Sequence, residues 1–411
     1  MDPVITGIGV VSSIGNGKVD FMNALVNGHS NFSIMSRSGR QFESNRDNDS
    51  QTKFIGAEIE EISASKNVNR STLRTSSLST QAALQALDEA WLESGLEDVC
   101  PKRIGLIVGG SNFQQREIYN IQRRFSGKHE FLRPTYAMNF MDSDLWGVCT
   151  QAYGIEGLAF SVGGASASGQ LAVLQAIEAL KGGIVDVCIA IGALMDLSAW
   201  ECQAFRSLGA MGTSVYADTP GIAARPFDKN RDGFIYGESC AAIVIENSET
   251  LEQRSSVKKY ASVLGSAMKV DANRDPNPSV EGEIEVIKQV LTQAGLTGEN
   301  IDYVNPHGTG SGIGDSTELD ALAACNLRSA NLNTTKSLIG HGLTAAGTVE
   351  LAAVLLQLDS GKLHPCLNMD DPLENNFNWV GDKQIETSAK KAINLSYGFC
   401  GINTAVCVEK Y

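Results

Sequence analysis

The chain has 411 residues, 43% of them hydrophobic and 19% charged, which is the composition of a globular protein with a large buried core. Its formal net charge of -14 argues against nucleic acid as a partner, and no apolar run is long enough to cross a membrane. The nine cysteines lack metal-site or disulfide spacing, and the first residues lack the basic segment of a signal peptide. We therefore expect a cytoplasmic protein with no membrane partner and no metal.

The first part of the chain predicts strands that alternate with helices. Apolar, β-branched runs predict strands over 4–11, 104–108, 158–162, 185–194 and 241–246. Helical spacing of apolar residues predicts helices over 21–26 and 79–93, and one from 170 to the glycines at 182 and 183. The polar stretch over 36–53 predicts a surface loop.

The second part repeats this order after a charged stretch over 249–259 that joins the two. The spacing predicts strands over 301–304, 391–395 and 404–409, and helices over 281–294 and 345–358. In each part a small-residue turn precedes an apolar helix that ends in glycine, and a late strand closes on glutamate (AAIVIE, then TAVCVE). This echo indicates a duplicated α/β unit with mostly parallel sheets, in halves of 1–250 and 251–411.

The turn over 163–169 lies between a predicted strand and a predicted helix. A strand, a tight glycine turn and a helix form a nucleophile elbow, which presents one small polar side chain at the helix N-terminus. That side chain is Ser166. The alternative is that Ser166 only caps a buried helix.

Two of the five histidines, His307 and His341, lie in glycine-rich turns. A neutral imidazole that donates from Nε2 suits a developing oxyanion, so both are candidate catalytic residues. Lys336 lies in an apolar neighbourhood, where it needs a carboxylate partner such as Glu350, although a surface position is the alternative. No second histidine or cysteine flanks either histidine at ligand spacing, which argues against a metal site.

Basic residues cluster at two places in this acidic chain. Lys66, Arg70 and Arg74 are spaced four residues apart, on one face of a predicted helix, and Lys128 lies in a basic stretch over 123–133. Such residues form either a local patch for an anionic partner or a solvated face.

Several segments resemble the β-ketoacyl synthases, the condensing enzymes of fatty-acid and polyketide synthesis, over essentially the whole chain. These segments are VITGIGVVSSIG, the turn at 163–169, ARPFDKNRDGFIYGE, DYVNPHGTGSGIGDSTE, TKSLIGHGLTAAGTVE and SYGFCGINTAV. The resemblance implies an α/β thiolase fold with five layers, αβαβα, built from two similar halves. It also implies a homodimer.

The same resemblance assigns the reactive positions. The family carries an acylated cysteine where this chain has Ser166; a register one residue earlier would place Ala165 there, and the thiol is absent either way. His307 and His341 match the family's two histidines, and Lys336 matches its lysine.

The resemblance also assigns supporting residues. Glu350 and Asp315 would support the site, and Thr309 and Ser311 match the hydroxyl pair that contacts pantetheine. Phe399 matches the gating phenylalanine of the Gly-Phe-Gly-Gly turn, in which this chain has a cysteine for one glycine.

The absence of the thiol favours decarboxylation over condensation. Without a thiolate no acyl-enzyme forms readily, whereas decarboxylation of a malonyl thioester needs only stabilisation of the enolate. The chain resembles the ketosynthase-like decarboxylases of polyketide β-branching cassettes, which have serine for cysteine and convert malonyl-acyl carrier protein to acetyl-acyl carrier protein. No cofactor is implied beyond the carrier's phosphopantetheine, and the carrier would dock on basic residues. The docking residues predicted are Lys66, Arg70, Arg74, Lys128 and Arg225.

Two other functions stay open. One is a non-catalytic partner subunit like the chain-length factors of aromatic polyketide systems. The other is a condensing or acyl-transferring enzyme that uses Ser166 as its nucleophile.

Overall fold

The computed structural model describes residues 3–42, 53–252, 254 and 257–411. The predicted loop over 36–53 and the predicted linker over 249–259 therefore lie partly outside the described residues. The strands of the first half are β1 Pro3–Ser12, β2 Gly15–Asn16, β3 Ser33–Ile34, β4 Ile55–Ala57, β5 Ile104–Gly109, β6 Ala159–Val162, β7 Val187–Gly192, β8 Tyr236–Gly237 and β9 Ser239–Asn247. Its helices are α1 Lys18–Val26, α2 Arg70–Leu73, α3 Leu78–Ser94, α4 Gln115–Arg124, α5 Tyr136–Asn139, α6 Ser143–Tyr153, α7 Ser168–Lys181, α8 Ala199–Ser207 and α9 Ser248–Leu251.

The second half contains the remaining described elements. Its strands are β10 Ala261–Val270, β11 Tyr303–Asn305, β12 Asn331–Leu332, β13 Lys362–Leu363, β14 Asn378–Trp379, β15 Ile385–Glu386, β16 Lys391–Gly398 and β17 Ile402–Lys410. Its helices are α10 Val280–Ala294, α11 Gly314–Ala324, α12 Lys336–Ile339 and α13 Ala346–Ser360.

The two halves repeat one sheet topology. In the first half the strand order is β6-β5-β7-β9-β1, with β6, β5 and β7 parallel and β9 and β1 antiparallel to their neighbours. In the second half the order is β12-β11-β16-β17-β10, with the same directions. The segments AAIVIE and TAVCVE lie in β9 and β17, which occupy equivalent places. A short antiparallel pairing of β1 with β10, at Val4 with Ser262 and Ile5 with Ala261, joins the halves.

The β1–β10 pairing makes one continuous sheet, whose two halves form two separate sheet layers. The helices form three layers around these two sheets. Helix α3 packs on β1 and β9, and α10 packs on β10 and β17, so each covers an outer face. Helices α7 and α13 pack on each other between the sheets. Residues 346–358 of α13 are all buried, as expected for a helix that is apolar around its whole circumference. The result is the predicted order αβαβα, with one core in the centre and one beneath each outer layer.

One predicted helix is much shorter than expected. Helix α2 begins at Arg70 because the Asn69 side chain accepts a hydrogen bond from Thr72 N, and Lys66 lies in a turn before it. Ser77 then caps the separate helix α3. The predicted single helical face of Lys66, Arg70 and Arg74 is therefore wrong.

Glycines set the distance between the two central helices. A Cβ added at Gly169 on α7 would lie 2.5 Å from Thr348 Oγ1 and 2.8 Å from Thr344 O. A Cβ added at Gly347 on α13 would lie 2.7 Å from Gln170 Cβ. Real side chains do not tolerate such contacts, so the close approach of the two helix N-termini requires glycine at both positions.

Replacing Gly169 with alanine tests this constraint. We expect Gly169→Ala to lower the free energy of unfolding by about 1–3 kcal/mol, because the added methyl group overpacks the contact between α7 and α13. Gly147→Ala is the matched control, since Gly147 lies within α6 with nothing within 4 Å of an added Cβ. Alanine there should raise stability by about 0.5–1 kcal/mol through helix propensity. Urea denaturation measures both, and equal effects would contradict the packing argument.

Candidate active site

Ser166 lies in the turn between β6 and α7. Ala165–Ala167 form a single 3₁₀ turn, and Ala165 has a left-handed φ of 48°. The Ser168 hydroxyl accepts a hydrogen bond from Gly164 N at 2.9 Å and donates one to Ala165 O at 2.7 Å, which holds the turn. Helix α7 has no side-chain cap, so the alternative reading of Ser166 as a helix cap is wrong.

His341 brings its imidazole to Ser166 from the other half of the chain. Its backbone N donates to Ile235 O at 2.7 Å, and its O accepts from Gly237 N at 3.1 Å. Its Nε2 lies 3.0 Å from Ser166 Oγ. No described residue hydrogen-bonds to its buried Nδ1, so the structure contains no carboxylate that orients this ring as in a catalytic triad.

His307 follows β11 in a turn that a carboxylate holds in place. Its backbone N donates to Glu318 Oε1 at 2.6 Å, and Gly308 N donates to Glu318 Oε2 at 2.8 Å. Gly308 has a φ of 38°, and a Cβ there would lie 2.5 Å from the Phe227 ring. The His307 and His341 rings are edge to face, with centroids 5.4 Å apart. The turn thus places both imidazoles beside one another.

Lys336 lies beneath the two histidines. It is 2% exposed, so the surface alternative is wrong, and its Nζ pairs with the carboxylate of Glu350, which is 1% exposed. The same Nζ donates to the His307 carbonyl oxygen. Burial raises the pKa of Glu350 to about 7, and the Lys336 charge opposes this shift.

The electrostatics of the site keep both imidazoles neutral. Burial lowers the pKa of His341 and of His307 well below the usual value of 6.5, and the Lys336 charge lowers both further. If His341 took the Ser166 proton, it would become a buried imidazolium repelled by the Lys336 ammonium. The arrangement therefore suits hydrogen-bond donation better than general-base catalysis.

A second carboxylate holds the turn that carries the two predicted pantetheine hydroxyls. Asp315 accepts backbone N–H bonds from Phe227 at 2.6 Å, Thr309 at 3.1 Å and Gly310 at 3.0 Å. Burial raises its pKa to about 6, and these hydrogen bonds oppose the shift. Both Thr309 and Ser311 line the cavity above Ser166.

Phe399 lies in the turn between β16 and β17 and lines the cavity. It is half-buried, and its ring centroid is 6.3 Å from that of Phe205. Cys400, which follows it, has a left-handed φ of 66°, a conformation that favours glycine. Cys400 is therefore held in a strained backbone conformation next to the predicted gate.

A cavity of about 330 Å³ connects these residues across both halves of the chain. Among its lining residues are Ser166, His307, His341, Thr309, Ser311 and Phe399. Sequence reasoning missed other lining residues, including Phe205, Phe234, Glu283 and Tyr397. The sequence held a signal for Glu283, because it lies four residues before Ile287 and three before Val286, on the buried face of α10.

The predicted docking residues divide into two groups. Lys66, Arg70, Arg74 and Lys128 are exposed and lie outside the cavity lining. Arg225 is 5% exposed and forms ion pairs with Asp228 at 3.0 Å and Asp370 at 2.5 Å. Its prediction as a docking residue is wrong, because its charge is buried and already neutralised.

The described residues contain neither a metal-binding cluster nor a membrane-spanning helix. No group of three or more histidine, cysteine, aspartate or glutamate side chains there could hold a metal ion. None of the helices in these ranges is both long and apolar enough to span a bilayer.

The chain belongs to the β-ketoacyl synthase family. The family's N-terminal domain (Beta-ketoacyl synthase, N-terminal domain) matches residues 1–250, and its C-terminal domain matches residues 260–370. The division of the chain at residue 250 itself stays a prediction.

Among individual relatives, the chain is 54% identical to the Polyketide biosynthesis malonyl-ACP decarboxylase PksF of Bacillus subtilis strain 168, over 99% of this chain and 96% of that protein. A β-ketoacyl synthase structure from Burkholderia phymatum STM815 superposes with a TM-score of 0.89 at 24% identity, over 100% of this chain and 99% of that one. A type II polyketide ketosynthase in complex with its acyl-carrier protein (AntDE:AntF) superposes with a TM-score of 0.86 at 23% identity, over 100% of this chain and 99% of that one. These superpositions confirm the predicted thiolase fold.

The neutrality of the imidazoles is testable by NMR. We expect neither His307 nor His341 to titrate between about pH 8 and pH 6, because burial and Lys336 disfavour their charged forms. The unfolded chain takes up protons near pH 6.5 and the folded chain does not, so stability falls as pH drops below about 6.5. In Lys336→Met the titration midpoints of both histidines should move to higher pH. The exposed Lys383→Met is the control. Titration of either wild-type ring at or above about pH 6.5 would contradict the electrostatic argument.

Proposed function

We propose that this protein decarboxylates malonyl-acyl carrier protein to acetyl-acyl carrier protein in polyketide biosynthesis, without condensation. The observation that carries the proposal is the pair of imidazole rings with centroids 5.4 Å apart, beside a hydroxyl rather than a thiol in one cavity. The lowered pKa of each ring favours its neutral form. The 54% identity to PksF, named as a malonyl-ACP decarboxylase, supports it over nearly the whole chain.

The chemistry needs stabilisation of an enolate. When the malonyl thioester loses CO2, negative charge develops on the thioester oxygen, and Nε2–H of His307 and of His341 would donate to it. One such donor is worth about 3 kcal/mol of transition-state stabilisation. Because a neutral donor gains no charge during the step, the Lys336 ammonium does not oppose it. Thr309 and Ser311 would hold the pantetheine arm, and Phe399 would exclude water from the departing carboxylate. Apart from this pantetheine, which the carrier supplies, the step requires no cofactor.

Acyl transfer through Ser166 is the second candidate, and the 3.0 Å contact with His341 Nε2 favours it. Against it stand the missing orienting carboxylate on Nδ1 and the lowered pKa of His341. A non-catalytic chain-length-factor role is disfavoured, because both histidines line the cavity and the Lys336–Glu350 pair that contacts the His307 carbonyl is intact.

We also propose an oligomeric state, a cellular location, a pathway and a docking surface for the enzyme. Strand β6 is an edge strand of the described sheet, and its apolar residues are only half-buried, as expected if a second copy pairs there in a homodimer. We place the enzyme in the cytoplasm, in a β-branching cassette of antibiotic biosynthesis. The acidic carrier protein would dock on Lys66, Arg70, Arg74 and Lys128.

A decarboxylation assay tests the reaction. With malonyl-acyl carrier protein as substrate, His307→Ala and His341→Ala should each lower the rate of CO2 release by about 10²–10³-fold, because each removes one oxyanion donor. Ser166→Ala should retain activity within about tenfold, since no covalent intermediate is required. Mass spectrometry of the enzyme provides the second readout. Absence of CO2 release, or a stable acyl adduct on Ser166 whose loss in Ser166→Ala abolishes turnover, would overturn the proposal.

Charge neutralisation tests the docking surface. The triple variant Lys66→Ala, Arg70→Ala, Arg74→Ala should weaken carrier binding and reduce its salt dependence, because local attraction must overcome the repulsion between two acidic proteins. Lys102→Ala, Lys181→Ala, Lys383→Ala is the matched control, since these residues are also exposed but lie outside the predicted patch. Binding is measured by surface plasmon resonance at two salt concentrations. Equal losses in both triple variants would contradict a specific patch.

A further inference from the structure

One buried carboxyl group in the cavity wall has no role in the contacts described so far. Glu283, in the first turn of α10, is 1% exposed and lines the same cavity as Ser166, His307 and His341. Its Oε2 is buried, and no described residue hydrogen-bonds to it. A buried polar atom without a partner is costly, so a carboxyl group of this kind in a cavity wall is a candidate for function.

Burial and the neighbouring carboxyl groups favour the protonated form of Glu283. The charged groups that face it are Glu318 and Asp315 on α11 and Asp271 after β10, and the Tyr397 phenol faces it from β16. Burial and these like charges raise the pKa of Glu283 well above its usual value. Its neutral carboxyl group therefore holds a proton beside the site.

The other carboxylates in the wall are committed as acceptors. Both oxygens of Glu318 accept backbone N–H bonds from the His307 turn, and Asp315 accepts three such bonds. Asp271 accepts both of its hydrogen bonds from Asn403 Nδ2, at 3.0 Å. Hydrogen bonds to the charged form favour ionisation, and they oppose the rise that burial gives the pKa of Glu318, to about 8, and of Asp315, to about 6. No described residue gives Glu283 Oε2 such a bond.

The remaining titratable groups of the cavity wall are poor proton donors to carbon. The imidazoles are neutral and would already donate to the enolate oxygen. The Tyr397 hydroxyl also lacks a partner, but burial and the nearby Glu283 and Glu318 raise the pKa of this phenol well above its usual value. Among the described carboxyl groups of the wall, Glu283 is the one with a buried oxygen, Oε2, to which no described residue hydrogen-bonds, so it is the one left to present a proton to the cavity.

A decarboxylase needs a proton donor, because Cα of its enolate must be protonated to a methyl group rather than attack an acyl chain. We propose that Glu283 is the catalytic acid that protonates Cα of the enolate, an inference that rests on the proposed decarboxylation. The C–COO⁻ bond breaks to release CO2 and leave the enolate; the enolate then forms a C–H bond with the Glu283 proton. Glu283 is left as a carboxylate and regains its proton from solvent. Overall, one malonyl thioester carboxylate and one proton give one acetyl thioester and one CO2.

Isotope discrimination tests the donor. Single turnovers of malonyl-acyl carrier protein in equal parts of H2O and D2O are followed by mass spectrometry of the acetyl product, which gives its hydrogen-to-deuterium ratio. We expect Glu283→Gln to slow acetyl formation by about 100-fold, the usual contribution of a general acid, and to shift the isotope ratio. Glu283→Asp, which keeps an acid, should restore part of the rate. The exposed Glu281→Gln, on the same helix, is the control and should match the wild type.

The pH profile gives an independent readout. Wild-type acetyl formation should fall as pH rises through the raised pKa of Glu283, and this fall should be absent from Glu283→Gln. The variant should also melt no lower than the wild type at pH 8, because folding at that pH no longer requires protonation of a buried acid. Glu283→Gln with the wild-type rate, isotope ratio and pH profile would overturn the inference. Wild-type enzyme that releases no CO2 would instead overturn the proposed function.

Discussion

The buried ion pair of Lys336 and Glu350 determines the chemistry of the cavity. One ammonium group connects α12, α13 and the turn after β11, because its Nζ pairs with Glu350 and also donates to the His307 carbonyl. Burial, together with this charge, lowers the pKa of both imidazoles well below 6.5 and so favours their neutral forms. A neutral imidazole can donate to an oxyanion without acquiring a charge, whereas a base in the same position would have to become a cation beside Lys336.

The active site exists only where the two halves of the duplicated unit meet. Ser166 stands at the N-terminus of α7 in the first half, and His341 lies just before α13 in the second. The glycines at 169 and 347 allow these helix ends to approach, so the 3.0 Å contact between Ser166 and His341 depends on backbone packing at least as much as on the two side chains. A duplicated fold is therefore well suited to a site whose parts come from distant sequence positions.

The carboxyl groups around the His307 turn have different roles, although burial disfavours the charge on each. Glu318 and Asp315 satisfy the backbone N–H groups of a turn that glycine flexibility would otherwise leave loose. No described residue gives Glu283 Oε2 such a hydrogen bond, and burial with the neighbouring carboxyl groups raises the pKa of Glu283 well above its usual value. Different environments give similar carboxyl groups different pKa values, so that one can act as an acid while the others act as hydrogen-bond acceptors.

The sequence by itself determined the α/β duplication, the elbow around Ser166 and the paired histidine turns, because hydrophobic period and glycine turns are local properties of the chain. Only the tertiary structure decided that Arg225 is buried and pairs with Asp370, 145 residues away. It also decided that the helix containing Arg70 begins after Asn69, so that Lys66 lies outside it. It also decided the raised pKa of Glu283, which is caused by burial and by the carboxyl groups of Glu318, Asp271 and Asp315. Burial and charge depend on which distant segments meet, and a pattern read along one segment does not contain that information.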